Sequence, residues 1–74
     1  MISVKVISKS SGKPIKGTSV SIGFSGILSG MSSREYTDSN GEAHFNNDPA
    51  TGTVYVSGKS VKKAYLSGMV VVYV

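Results

Sequence analysis

The sequence predicts an all-β fold, a small antiparallel β-sandwich of about seven short strands with Greek-key connections. Three observations carry that reading. Apolar and polar residues alternate with period two in one stretch after another. Clusters of Gly, Pro, Asn, Asp and Ser interrupt the alternation about every eight to twelve residues. No window sustains a period of 3.6, and those long enough for a helix are broken by Gly or filled with Ser.

The first strand is Ile2-Ser3-Val4-Lys5-Val6, with Ile2, Val4 and Val6 on one face and Lys5 turned to solvent. Ser10, Ser11, Gly12 and Pro14 make the following segment a turn region, after which Thr18 to Phe24 alternates again and points Val20, Ile22 and Phe24 inward. From Ser25 to Ser33, serines and glycines around Ile27, Leu28 and Met31 predict a long loop. Arg34 to Thr37 reads as a short strand, paired as a hairpin through Asp38-Ser39-Asn40-Gly41 with Glu42 to Phe45. Asn46, Asn47, Asp48, Pro49 and Gly52 break any ladder before Thr53 to Ser57 resumes the pattern. Val61 to Leu66 and Met69 to Val74 complete the set, parted by Ser67-Gly68. The expected core is Val4, Val6, Val20, Ile22, Phe24, Ala43, Phe45, Val54, Val56, Leu66, Val70 and Val72.

Seventy-four residues hold one domain, residues 1–74, near the lower limit of what a single core stabilises. With no Cys, disulfide staples and Cys-based zinc sites are excluded, leaving packing or a partner chain. The absence of Cys fits a reducing cytosol and a disulfide-free surface module alike. The expected location is therefore the cytoplasm for a complete chain, and the cell surface or exterior for a module of a longer one. The net charge of +4 is modest beside the dense basic runs that grip nucleic acid. The acids Glu35, Asp38, Glu42 and Asp48 occupy the middle of the chain, and the lysines flank them. No early apolar run has the length of a signal peptide, and Met69 to Val74 is too short to span a bilayer as a helix, so no membrane insertion is expected.

The succession Ser11-Gly12-Lys13-Pro14-Ile15-Lys16-Gly17-Thr18-Ser19-Val20, then Tyr36-Thr37-Asp38-Ser39-Asn40-Gly41-Glu42-Ala43-His44-Phe45, resembles the carboxypeptidase regulatory-like and collagen-adhesin B-type modules of the prealbumin-like sandwich. The resemblance covers about the first two-thirds of the chain and implies a non-catalytic module for display, adhesion or binding of protein or carbohydrate. The adhesin branch often links a first-strand lysine to an Asn or Asp of the last strand. Lys5 matches the lysine, but Met69 to Val74 offers neither partner, so no such bond is expected.

Each chemical motif has a plainer structural reading. Asp38-x-Asn40-x-Glu42 has oxygen ligands at calcium-loop spacing, but Asp and Asn also suit a tight turn, and the remaining ligands are missing. Gly58-Lys59-Ser60 fails the phosphate-loop pattern on spacing and sits between strands. His44 and Glu42 project from one face, with Ser39 or Ser57 as conceivable nucleophiles, yet no oxyanion site accompanies them and a surface His is preferred. Zinc through His44 alone is disfavoured, and no catalytic residue, cofactor or metal is expected.

Two surfaces remain. Tyr55, Lys59, Lys62, Lys63 and Tyr65 lie close in sequence and combine aromatic faces with cations, a surface for carbohydrate or, less favoured by the charge, nucleic acid. Met69 to Val74 is apolar on both faces, Met69, Val71 and Tyr73 on one and Val70, Val72 and Val74 on the other, so the strand is either central or meets another chain. The expected function is a non-enzymatic sandwich that binds a protein partner or a second copy of itself by strand pairing.

Overall fold

The structure, a computed structural model, describes residues 1–25 and 30–74. Ile27 and Leu28 of the expected loop lie outside the described residues. The fold is all-β, with eight strands among the described residues: β1 (Ile2–Ile7), β2 (Ser19–Phe24), β3 (Gly30–Met31), β4 (Glu35–Tyr36), β5 (Glu42–Phe45), β6 (Ala50–Val56), β7 (Lys59–Leu66) and β8 (Gly68–Tyr73). They form two sheets, the first ordered β5-β1-β8 and the second β3-β2-β6-β7, with β4 also on β2. The extra strand is β3. Ser32 between β3 and β4 both donates its N–H to the Ile22 carbonyl (2.7 Å) and accepts from the Ile22 N–H through Oγ (2.8 Å), so residues 30–36 run along β2 as one interrupted edge.

The inward residues of both sheets close one core. Ile2, Val4, Val6, Val20, Ile22, Ala43, Phe45, Val54, Val56, Leu66, Val70 and Val72 are buried, as period two requires of sheets covered on one side. Ile2 joins the expected set, whereas Phe24 is only half-buried and packs at the core's margin.

Three expectations are corrected. The pairing is not wholly antiparallel, because β1 and β8 run parallel from Ile2 opposite Gly68 to Ile7 opposite Tyr73. The Asp38 to Gly41 turn does not close a two-stranded ladder: β4 pairs with β2 and β5 with β1, so the turn carries the chain between sheets. Thr37 explains the divergence. Its hydroxyl donates to the Ile15 carbonyl (2.7 Å) and accepts from the Thr18 N–H (3.0 Å), while its own N–H reaches the Thr18 carbonyl (3.0 Å) and Gly17 N–H reaches its carbonyl (2.9 Å). Finally, Gly52 does not break the ladder but lies inside β6, opposite Phe24 and Ala64. A Cβ there would stand 2.8 Å from the Gly23 carbonyl oxygen, so the close approach of β2 requires glycine.

Candidate functional site

Among the described residues the last strand is neither central nor covered on both faces; it is an edge. Val74 N–H donates to the Ile7 carbonyl (2.9 Å) and the Val74 carbonyl accepts from Lys9 N–H (2.7 Å), so backbone groups of that parity in β8 face β1. Backbone groups alternate sides along a strand, and those of Met69, Val71 and Tyr73 therefore point to the open edge, where no strand among the described residues meets them. Their side chains lie on the outer face, 48%, 38% and 56% exposed, while Val70 and Val72 fill the core. The next row on that face, across β1, is Ser3, Lys5 and Ile7. Lys5 stands between Val71 of β8 and Glu42 of β5.

The other sheet's free edge contrasts with this one. Strand β7 bears Lys59, Lys62 and Lys63, and its register shifts between Val54 and Tyr55 of β6, leaving Val61 as a bulged residue. Charge and bulge are the usual means of discouraging a further strand. Strand β8 itself carries neither, being uncharged and in unbroken register against β1, and the cations beside it, Lys9 and Lys62, come from other segments that line a groove with its Val71 and Tyr73.

The Tyr and Lys group divides between two faces. Tyr55, Lys63 and Tyr65 share the outer face, opposite Ser60, Thr53 and Thr51 in turn. The Tyr55 ring lies over Gly23, where a Cβ would come within 3.1 Å of both its Cε2 and the Met31 Sδ, and Tyr65 is open to solvent. Lys59 and Lys62 stand opposite Val56 and Val54, whose side chains point inward. They edge the open flank of the sandwich, where Lys62 shares a groove with Lys9, Val61 and Tyr73. Adjacent residues of a strand point opposite ways, so proximity in sequence separated Lys62 from Lys63 in space.

A third feature sits on the outer face of the β5-β1-β8 sheet, at its β5 side. Asp38 Oδ1 accepts from the backbone N–H of Asn40 (2.9 Å) and Glu42 (3.0 Å), which fixes the turn into β5. Those donors, the Glu42 N–H foremost, together with the neighbouring His44, hold the Asp38 carboxyl below the ordinary carboxylate range. His44 Nε2 lies 3.6 Å from Asp38 Oδ2 and 3.7 Å from Glu42 Oε1, and its Nδ1 is hydrogen-bonded to Ser3 Oγ (2.8 Å). The Glu42 and His44 pairing follows from a spacing of two. Asp38 joins them only through the curvature of the turn, and Asn40 contributes its backbone N–H rather than a ligand oxygen. Of the serines weighed as nucleophiles, Ser57 bonds Thr18 Oγ1 (3.0 Å), and the hydroxyl on His44 belongs to Ser3.

No family model, curated protein or solved structure matches this chain.

Proposed function

We propose that the protein is a non-enzymatic β-sandwich binding module that assembles by strand addition at β8, its partner a second copy of the same strand. The observation that supports this is the edge itself: Met69, Val71 and Tyr73 combine backbone groups that no strand among the described residues meets with exposed apolar side chains on an uncharged strand of regular register. Antiparallel pairing about Val71 sets Met69 opposite Tyr73 of the second copy and Val71 opposite itself, a two-fold arrangement in which one patch serves both partners. The sheet then runs six strands, and the outer apolar row doubles. The likeness of residues 11–20 and 36–45 to carboxypeptidase regulatory-like and adhesin modules favours binding or display over catalysis in the same way.

Light scattering on eluting protein over a concentration series tests the reading. The expected mass rises from 7.7 kDa toward twice that value, equally at low and high salt, and Val71→Lys returns it to the monomer with an unchanged circular dichroism spectrum. A wild-type monomer at every concentration, or a dimer indifferent to Val71→Lys, refutes it.

A second reading, binding of carbohydrate or single-stranded nucleic acid, is favoured by the shared outer face of Tyr55, Lys63 and Tyr65. For nucleic acid it requires affinity that falls steeply with salt and is lost in Tyr65→Ala. Binding of neither oligonucleotide nor oligosaccharide discards it.

A further inference from the structure

Asp38, Glu42 and His44 each present one ligand atom to a common space, and those atoms all lie within 4.8 Å of one another. Two of the three are held from behind. Asp38 spends Oδ1 on two backbone donors, which leaves Oδ2 to face the site, and His44 spends Nδ1 on Ser3, which leaves Nε2. The spacing is the informative quantity. At 3.6 and 3.7 Å, Nε2 is beyond the range of about 2.7–3.2 Å in which an N–H donates to oxygen, although an exposed side chain is free to close such a gap. Two ligands each about 2.1 Å from a tetrahedral ion stand about 3.4 Å apart, close to the two distances at His44 Nε2, and the carboxylate oxygens, held only within 4.8 Å of each other, reach the ion by side-chain rotation. The geometry lets each carboxylate share an ion with His44 Nε2.

We infer that Asp38 Oδ2, Glu42 Oε1 and His44 Nε2 bind a divalent transition-metal ion of the zinc type, with solvent completing the coordination. The donor set discriminates among metals. One imidazole nitrogen with two carboxylate oxygens suits zinc, cobalt or nickel, whereas calcium wants about six to eight oxygen ligands and finds two side-chain carboxylates here. Ser3 is a positioning residue: when the ion holds Nε2, Nδ1 keeps its proton and donates it to Ser3 Oγ, which sets the tautomer and the ring plane. The ion would clasp the Asp38 to Gly41 turn to β5, where the chain passes from one sheet to the other. Lys5, opposite Glu42 in the ladder, is the cation closest in register.

The test is titration of the metal-free chain with zinc chloride as the sole added ligand, followed by calorimetry, thermal melting and the imidazole resonances of the one His. Saturable 1:1 binding that shifts the His44 ring signals and raises the melting temperature is the expected result. His44→Gln and Glu42→Gln each weaken binding at least tenfold, and Ser3→Ala weakens it by about tenfold. Both glutamine variants change exposed or half-buried side chains outside the core, so an unchanged circular dichroism spectrum is expected to certify their fold. No saturable binding at millimolar zinc, or equal affinity in His44→Gln, overturns the inference.

Discussion

Replacing Gly41 with Ala addresses the point on which the two sheets are joined. Gly41 is buried with φ at +76°, and its carbonyl accepts from Val6 N–H at 2.8 Å, which ties the turn to β1. An L-residue in that conformation costs about 1–2 kcal/mol. The added Cβ would also stand 2.7 Å from Pro14 Cβ and 2.9 Å from the Val6 carbonyl oxygen, neither of them the tip of a flexible side chain. Overpacking of this kind costs about 1–3 kcal/mol, so the whole loss is about 2–5 kcal/mol. A chain of 74 residues has a total stability of only about 4–11 kcal/mol. Gly58 supplies the control: its φ is +82°, and a Cβ there meets nothing within 4 Å, so Gly58→Ala incurs only the conformational part. Urea unfolding followed by circular dichroism compares the two variants under identical conditions. A loss in Gly41→Ala at least 1 kcal/mol greater than in Gly58→Ala is expected. Equal losses would refute the packing of the turn against Pro14 and β1.

Phe45→Ala removes the largest fully buried side chain and is expected to cost about 3–5 kcal/mol by the same unfolding measurement. Thr37→Val keeps the shape but strands the Ile15 carbonyl and the Thr18 N–H, for an expected loss of about 1–3 kcal/mol; a neutral result would mean that Thr37 does not hold β4 to β2. Hydrogen exchange resolved by residue separates the two sides of β8: Val70 and Val72 amides stay protected in dilute solution, while those of Met69, Val71 and Tyr73 exchange fast and slow down as protein concentration rises. Concentration-independent exchange at Val71 would count against pairing at this edge.

Much of this architecture is written in the alternation of single residues. Val4, Val6, Val20, Ile22, Val54 and Val56 are placed inward by period two alone, and the structure buries all of them. What the alternation does not encode is which strand lies beside which. The parallel ladder of β1 and β8 joins the two ends of the chain, so no turn between them announces it, and an edge strand with two apolar faces looks in sequence like a central one. The Asn40-Gly41 pair does mark a tight turn, but its arms are tied to other strands by the bonds of Thr37 to Ile15, Gly17 and Thr18 and of Val6 N–H to the Gly41 carbonyl, contacts that are not local. The same limit applies to the surfaces. One bulged residue, Val61, and the opposite pointing of neighbours divide a group that is continuous in sequence. For the Asp38, Glu42 and His44 cluster, the pair is visible in the spacing and the third member is supplied by the bend of the turn.

The parallel pairing of β1 and β8 also bears on how the domain responds to force. The chain enters β1 beside Gly68 and leaves β8 beside Ile7, so its ends lie at opposite poles of one ladder. A pull on Met1 and Val74 slides the two strands past each other along their length. Every rung from Ile2 to Ile7 then takes strain together, along with the Val74 and Lys9 bonds beyond them. Strands drawn apart sideways would instead open one bond at a time, at low tension. Loaded through its ends, this small sandwich works as a shear joint whose strength lies in the first and last strands.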